Sequence, residues 1–363
     1  MLADPGLIAR PQPWAEEDLL AELAASAAAA DLSGEPDTDA VTALRRGGLL
    51  GLAAPVEFGG AGASAVDLNR AVEHVARANA SASIMLFQHY AVTSRIAESG
   101  TAEQRARWLP PLATGEWLAA SAWSETGAGA NKKNLCTKAI RTDDGWWRLD
   151  GAKAFTTSAG VADIYLVLAQ GEAVLGSDLD TGYGAAGQTF FLIPSANPGL
   201  IPDTSLNLAG MRGSATGFVS LKQCVVPDAD RLGGIGAATG IISRVRDSGA
   251  TLGAVAVGIA HAAVENAFSA ASARGLLASP AIVHRFVGLF TQVEAARAIV
   301  ERAGRRDSGA AGMTTLHSKM FASDTAEAVC AAVAQMLGPA GYVSGHPVNR
   351  YSRDARAVAL MGP

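Results

Sequence analysis

The chain has 363 residues, enough for two or more domains, with 29 basic against 34 acidic side chains and a net charge of -5. Its basic residues do not cluster, Lys132-Lys133 and Arg305-Arg306 being isolated pairs, which argues against a nucleic-acid-binding face. A hydrophobic content of 49% with only 17% charged residues calls for a large core. The most apolar stretch, Ala250 to Ala263, reads as too short to cross a bilayer and as a buried helix.

Met1 to Pro13 carries Asp4 and three prolines where a signal peptide needs a basic and then an apolar run. Cys136, Cys224 and Cys330 are odd in number and widely spaced, so free thiols and a cytoplasmic location are expected. From Glu16 to Ala113 the apolar residues recur at helical spacing, as in Leu68, Ala71, Val72 and Val75. Thr101 with Gln104 reads as a capping box opening a helix that ends near Ala113. From Leu118 to Gly234 turns and β-branched residues predominate. Ile164 to Leu168, Phe190 to Ile193 and Phe218 to Val226 read as strands, Asp150-Gly151 as a two-residue hairpin turn, and Gly171 to Gly187 as an exposed loop. The helical period returns over 244–273, 284–305 and 312–338. One stripe is Leu289, Val293, Ala296 and Ile299 or Val300; the other is Leu316, Met320, Ala326 or Val329, and Val333. The fold class is therefore α+β. A helical domain over 1–117 is expected, then a β domain over 118–234 and a four-helix bundle over 235–363.

No GxSxG, Walker, HExxH or well-placed GxGxxG pattern is present. The six histidines show no metal-ligand spacing and no metal is expected; only His89, after the apolar run Ile84 to Phe87, reads as a neighbour of a ligand pocket. The informative stretch is SAWSETGAGAN at 121–131. Its glycines free backbone N–H groups, and Ser124 and Thr126 add hydroxyls suited to a polar planar or anionic ligand. KAFTTS at 153–158 reads as a strand that turns Phe155 and Thr157 to one side.

Taken with APVEFGGAG at 54–62, WRLDGAKAFTTSAGVAD at 147–163, GMRGSATG at 210–217, QMLGPAGY at 335–342 and NRYSRDA at 349–355, these segments resemble, in order, the acyl-CoA dehydrogenase superfamily of flavoproteins over almost the whole length. The resemblance implies FAD between the β domain and the carboxy-terminal bundle, in a homodimer or homotetramer whose neighbouring subunit completes the site. It also implies an acyl thioester as substrate, on CoA or an acyl carrier protein, and an electron-transfer partner. Trp123, Ser124, Gly129 and Ala130 would line the flavin and substrate cleft, Phe155 would flank the ring, and Thr157 would hydrogen-bond its N5. Arg274 would reach the pyrophosphate in the adjacent subunit, and Gln335 with Gly338 its adenosine part.

Dehydrogenation of a thioester needs a carboxylate to take the α proton. The two positions where relatives carry a glutamate are Gly362 and Ser248 here, which leaves Asp247 as a weak candidate base, and the arginine that usually follows is Gly249. Three readings follow: an FAD-dependent acyl-thioester dehydrogenase, a flavin-dependent monooxygenase or N-oxygenase of the same fold, and an inactive flavin-poor partner subunit.

Overall fold

The computed structural model describes residues 17–127, 134–171 and 184–362. Helices α1 (Glu17–Ser33), α2 (Thr38–Arg46), α3 (Ala65–Ala78), α4 (Ala80–Ser99) and α5 (Ala102–Ala113) lead into strands β1 (Ala119–Ala122), β2 (Lys138–Arg141), β3 (Trp146–Thr156), β4 (Ile164–Gln170), β5 (Gln188–Pro194), β6 (Leu200–Asp203), β7 (Gly217–Pro227) and β8 (Arg231–Leu232). Helices α6 (Ala238–Asp247), α7 (Gly253–Ala273), α8 (Pro280–Arg305), α9 (Ala311–Leu337) and α10 (Pro347–Leu360) follow. The capping box forms as expected: the Thr101 hydroxyl accepts from the Gln104 N–H, and the Gln104 side chain accepts from the Thr101 N–H.

The strands make one mixed sheet in the order β6-β7-β3-β2-β4-β5-β8, with β1 pairing parallel to β4 and most neighbours antiparallel. Alternation along β4 sets the layers. Ile164, Leu166 and Leu168 pack with Trp108, Leu109 and Leu112 of α5, whereas Tyr165, Val167 and Ala169 pack with Trp147, Leu149 and Phe191 on the other face. Helices from both ends of the chain share a further core, in which Leu68, Val72 and Val75 of α3 join Val255, Ile259 and Ala263 of α7.

Away from the site, the structure corrects four sequence readings. Asp150-Gly151 is a bulge inside the continuous strand β3 and not a hairpin turn. Register shifts between Leu149 and Gly151, and a Cβ on Gly151, at φ +151°, would stand 2.6 Å from the Cα of Thr137. The β2–β3 hairpin turns instead at Thr142 to Gly145, where the Thr142 N–H donates to the Trp146 carbonyl at 2.8 Å. The window 244–273 is two helices, not one. Asn69 of α3 fills the break, its Nδ2 donating to the Gly249 carbonyl at 2.9 Å and its Oδ1 accepting from the Thr251 N–H at 3.0 Å.

The third correction concerns α9. Ala326, Val329 and Val333 are buried, but Leu316 is half-buried and Met320 exposed, because small residues such as Ala322 and Ser323 face the core. The fourth concerns only the length of α7: the apolar run read as too short belongs to a helix of 21 residues, long and apolar enough to span a membrane. Within the fold 67% of its 18-residue apolar window is buried, which bears out the buried helix expected from the sequence. Gly258 lets it approach α3: a Cβ there would lie 2.4 Å from the Glu73 carbonyl oxygen.

Candidate active site

One end of the sheet gathers the residues read from the two central motifs. The Ala154 N–H donates to the Ser124 carbonyl at 2.9 Å, which lays the 123–124 segment beside the end of β3. The strand alternation expected at KAFTTS does not hold, because the register shifts between Lys153 and Thr156 and Phe155 adopts φ +54°. Its ring is 66% exposed while Thr157 is buried. The Thr157 hydroxyl lies 3.2 Å from that of Thr216, which lies 2.8 Å from that of Ser214. Trp123 stacks at a tilt on Phe190 with its indole N–H buried and unpaired. An exposed ring, a buried hydroxyl and a buried N–H without an acceptor fit a planar, hydrogen-bonding aromatic group such as a flavin ring.

The backbone here is strained. Phe155, Ser158, Met211 and Ala215 all hold positive φ, between +49° and +65°. The Ser158 N–H donates to the Ser214 carbonyl at 3.1 Å, and the Ala159 N–H to the Ala215 carbonyl at 2.8 Å, so the GMRGSATG loop and the end of β3 brace each other. Asp354 of α10 holds the loop from behind, accepting from the Met211 N–H at 2.6 Å; burial pushes its carboxyl up to about 6. Arg353 grips Asp31 of α1 through two contacts, at 2.8 and 2.7 Å.

Glu125 forms a buried ion pair that the sequence reading did not assign. Lys153 Nζ donates to Glu125 Oε1 at 2.7 Å, and the same carboxylate accepts from the Cys136 and Thr137 N–H groups at 2.6 and 3.1 Å. Burial alone would raise the Glu125 carboxyl. The donors from Lys153, Thr137 and Cys136 outweigh it and hold the group below the usual carboxylate range. Gly129 and Ala130 lie outside the described residues.

His89 is a structural group. Its Nδ1 accepts from the Ala119 N–H at 3.1 Å and its Nε2 lies 3.0 Å from the Leu50 carbonyl, which fixes the neutral Nε2–H tautomer; burial drives its pKa down to about 4. The side chains beside it on α4 line a cleft of about 420 Å³ between α3, α4, the α6–α7 junction and the end of α8. Leu68, Val72, Phe87 and Tyr90 form its apolar wall, and Ser248 lines it. Asp247 is exposed at the end of α6 with its carboxylate against Gly312, so the structure does not bring it to the cleft. Gly362 is exposed beyond α10 with open space around it. Among the described residues the one carboxylate lining the cleft is Glu98, which sequence reasoning missed. It pairs at 2.9 Å with Arg95, an arginine only 2% exposed. Arg274, Gln335 and Gly338 are exposed at the ends of α7 and α9; among the described residues no hydrogen bond or ion pair ties either side chain to the end of the sheet.

Family models for acyl-CoA dehydrogenases match the chain in three parts: the N-terminal domain at residues 15–116, the middle domain at 120–224 and the C-terminal domain at 238–362. Cyclohexane-1-carbonyl-CoA dehydrogenase of Geobacter metallireducens is 33% identical over 93% of this chain and 89% of its own length. The solved structure of butyryl-CoA dehydrogenase from Megasphaera elsdenii superimposes with a TM-score of 0.86 at 26% identity, covering 99% of this chain and 95% of that one. FkbI, described as acting in biosynthesis of the methoxymalonyl extender unit of Fk520, superimposes with a TM-score of 0.81 at 27% identity, covering 95% and 94%. With matches in all three parts and a relative above 30% identity along nearly its whole length, the chain belongs to the acyl-CoA dehydrogenase family, a family of flavoprotein oxidoreductases.

Proposed function

We propose that the protein is an FAD-dependent dehydrogenase that oxidises the α,β bond of an acyl thioester carried on CoA or an acyl carrier protein. The observation that carries this reading is the pairing of two features in one fold: the strained end of the sheet, with Phe155 exposed beside the Thr157 hydroxyl, and a separate, largely apolar cleft lined by Ser248. Both named relatives with an activity in their descriptions act on acyl-CoA thioesters. When bound, the cofactor supplies a hydride acceptor. Trp123, Ser124, Phe155 and Thr157 would hold its ring. Arg274, Gln335 and Gly338, exposed at helix ends, would serve the flavin of a neighbouring subunit, so the working unit is a homodimer or homotetramer. Location in a reducing cytoplasm fits three free cysteines.

The Ser248 hydroxyl donates its one proton to the Val245 carbonyl at 2.7 Å and, as an alcohol, cannot take up the α proton at neutral pH. Glu98 is the cleft's carboxylate, and Arg95 holds it. Among the described residues the cleft therefore offers no free carboxylate for proton removal, and this favours a second reading, a flavin-dependent monooxygenase, which needs no such base. Anaerobic mixing of the flavin-loaded protein with acyl-CoA thioesters separates the two. Bleaching of the flavin absorbance supports dehydrogenation. Absence of bleaching, together with substrate oxygenation when reduced flavin meets oxygen, replaces it.

A further inference from the structure

Arg95 is the odd residue of the cleft. It projects from the same face of α4 as Phe87, Tyr90 and Ala91, is 2% exposed, and its Nε–H is buried without an acceptor. Its single carboxylate contact, Glu98, is 42% exposed and turned toward solvent. Two further arginines, Arg305 and Arg306, line the cleft against that one carboxylate. Arg305 reaches Glu301 outside it, at 3.3 Å, and Arg306 has no carboxylate partner among the described residues. The lining thus carries an excess of positive charge beside the apolar wall of Leu68, Val72 and Phe87, and an arginine stays charged even when desolvated.

We infer that the cleft takes an acyl group ending in a carboxylate, with Arg95 as its counter-ion. This rests on the reading of the cleft as the acyl site. A methyl end would leave a buried guanidinium N–H facing hydrocarbon, whereas a carboxylate matches the planar fork and supplies the missing acceptor. Arg95 lines a cavity of about 420 Å³ and is 2% exposed, which suits a small terminal group and not the phosphates of a nucleotide. Leu68, Val72 and Phe87 enclose the methylenes between the two ends.

Calorimetric titration of the full-length, flavin-loaded protein with glutaryl-CoA and pentanoyl-CoA, equal in chain length, tests it. Glutaryl-CoA is expected to bind about tenfold or more tightly, and Arg95→Met to bring the ratio close to one while Arg95→Lys keeps part of it. Glu98→Gln, at a partly exposed position, should tighten glutaryl-CoA by releasing Arg95 and covers the case in which Arg95→Met does not fold. Equal affinities in the wild type, a preference that survives Arg95→Met, or weaker glutaryl-CoA binding in Glu98→Gln would show that Arg95 serves only the fold, and would overturn the proposal. Selective binding without flavin bleaching keeps it and removes the dehydrogenase reading. Bleaching by both thioesters with no selectivity does the reverse, and binding of neither overturns both.

Discussion

At the end of the sheet, Phe155, Ser158, Met211 and Ala215 hold backbone conformations that each cost on the order of 1–3 kcal/mol, and the surrounding loop, β3 and α10 fix them in place. The cleft is lined mostly from regular helix, and its chemistry lies in single side chains on α3, α4, α6 and α8. Backbone geometry shapes one region and side-chain identity the other. The first should therefore fail through loss of folding or cofactor, and the second through change of substrate.

The sharpest way to break this contrast is at the buried pair under the sheet end. Lys153→Met leaves the Glu125 carboxylate without its cation in a site where both side chains are almost fully buried. Removing one partner of such a pair costs about 3–5 kcal/mol. Urea unfolding should show that loss. If stability drops by less than 1 kcal/mol, the sheet end is not held by this pair.

The two regions also differed in how far the sequence revealed them. The contiguous motifs around 121–131, 153–158 and 210–217 were legible because each lies within one stretch of chain. Of the residues read from them, Ser124 is tied to the end of β3 through Ala154, and Thr157 to Thr216. Arg95, Asn69 and Glu98 were not legible, because helices far apart in sequence bring them together and each reads alone as an ordinary surface residue. Arg95 left one trace, a charge on the helix face shared by Phe87 and Ala91. The Asp-Gly hairpin failed for a similar reason: Thr137 of another strand, packed against Gly151, decides that position.

Asp354 allows the brace behind the strained loop to be read by pH. Burial raises its carboxyl from 3.8 to about 6, so it favours the folded state fully below about 4 and loses that contribution as pH rises through about 6. His89 runs the other way. Its pKa falls from 6.5 to about 4, so its contribution is present above 6.5 and lost as pH falls toward 4. Asp354→Asn removes the first term and keeps an oxygen for the Met211 N–H. Relative to wild type, the variant should gain stability between about pH 4 and 6, by up to roughly 3 kcal/mol, and then level off. Unfolding measured across that range tests this, and a difference independent of pH would contradict it.

Among the helices, Gly258→Ala measures how closely α7 meets α3. Alanine in place of glycine favours a helix by about 1 kcal/mol. A Cβ 2.4 Å from the Glu73 carbonyl oxygen and 2.5 Å from the Ala76 Cβ opposes it, with an overpacking cost of about 1–3 kcal/mol. The contacted atoms are backbone and a short side chain, so neither can swing aside. The clash should win by about 1 kcal/mol, visible as a lower thermal midpoint, and a higher midpoint would mean that the two helices separate more easily than their packing implies.

The smallest effect is expected where the sheet end depends least on a side chain. Thr157→Val keeps the shape of a buried residue and removes its hydroxyl, but Thr216 keeps its 2.8 Å contact with Ser214. The folded protein should lose less than about 1 kcal/mol, close to the net worth of one hydrogen bond. Flavin binding should weaken by only several-fold, because Phe155, Trp123 and the strained backbone remain in place. The flavin absorption maximum should still move, since a donor beside the ring changes its electronic environment. Fluorescence titration of the flavin-free protein gives the affinity and the holoenzyme spectrum gives the shift. Affinity falling a hundredfold or more would mean that this hydroxyl, and not the backbone, carries the cofactor. An unchanged affinity together with an unchanged spectrum would place the ring away from Thr157.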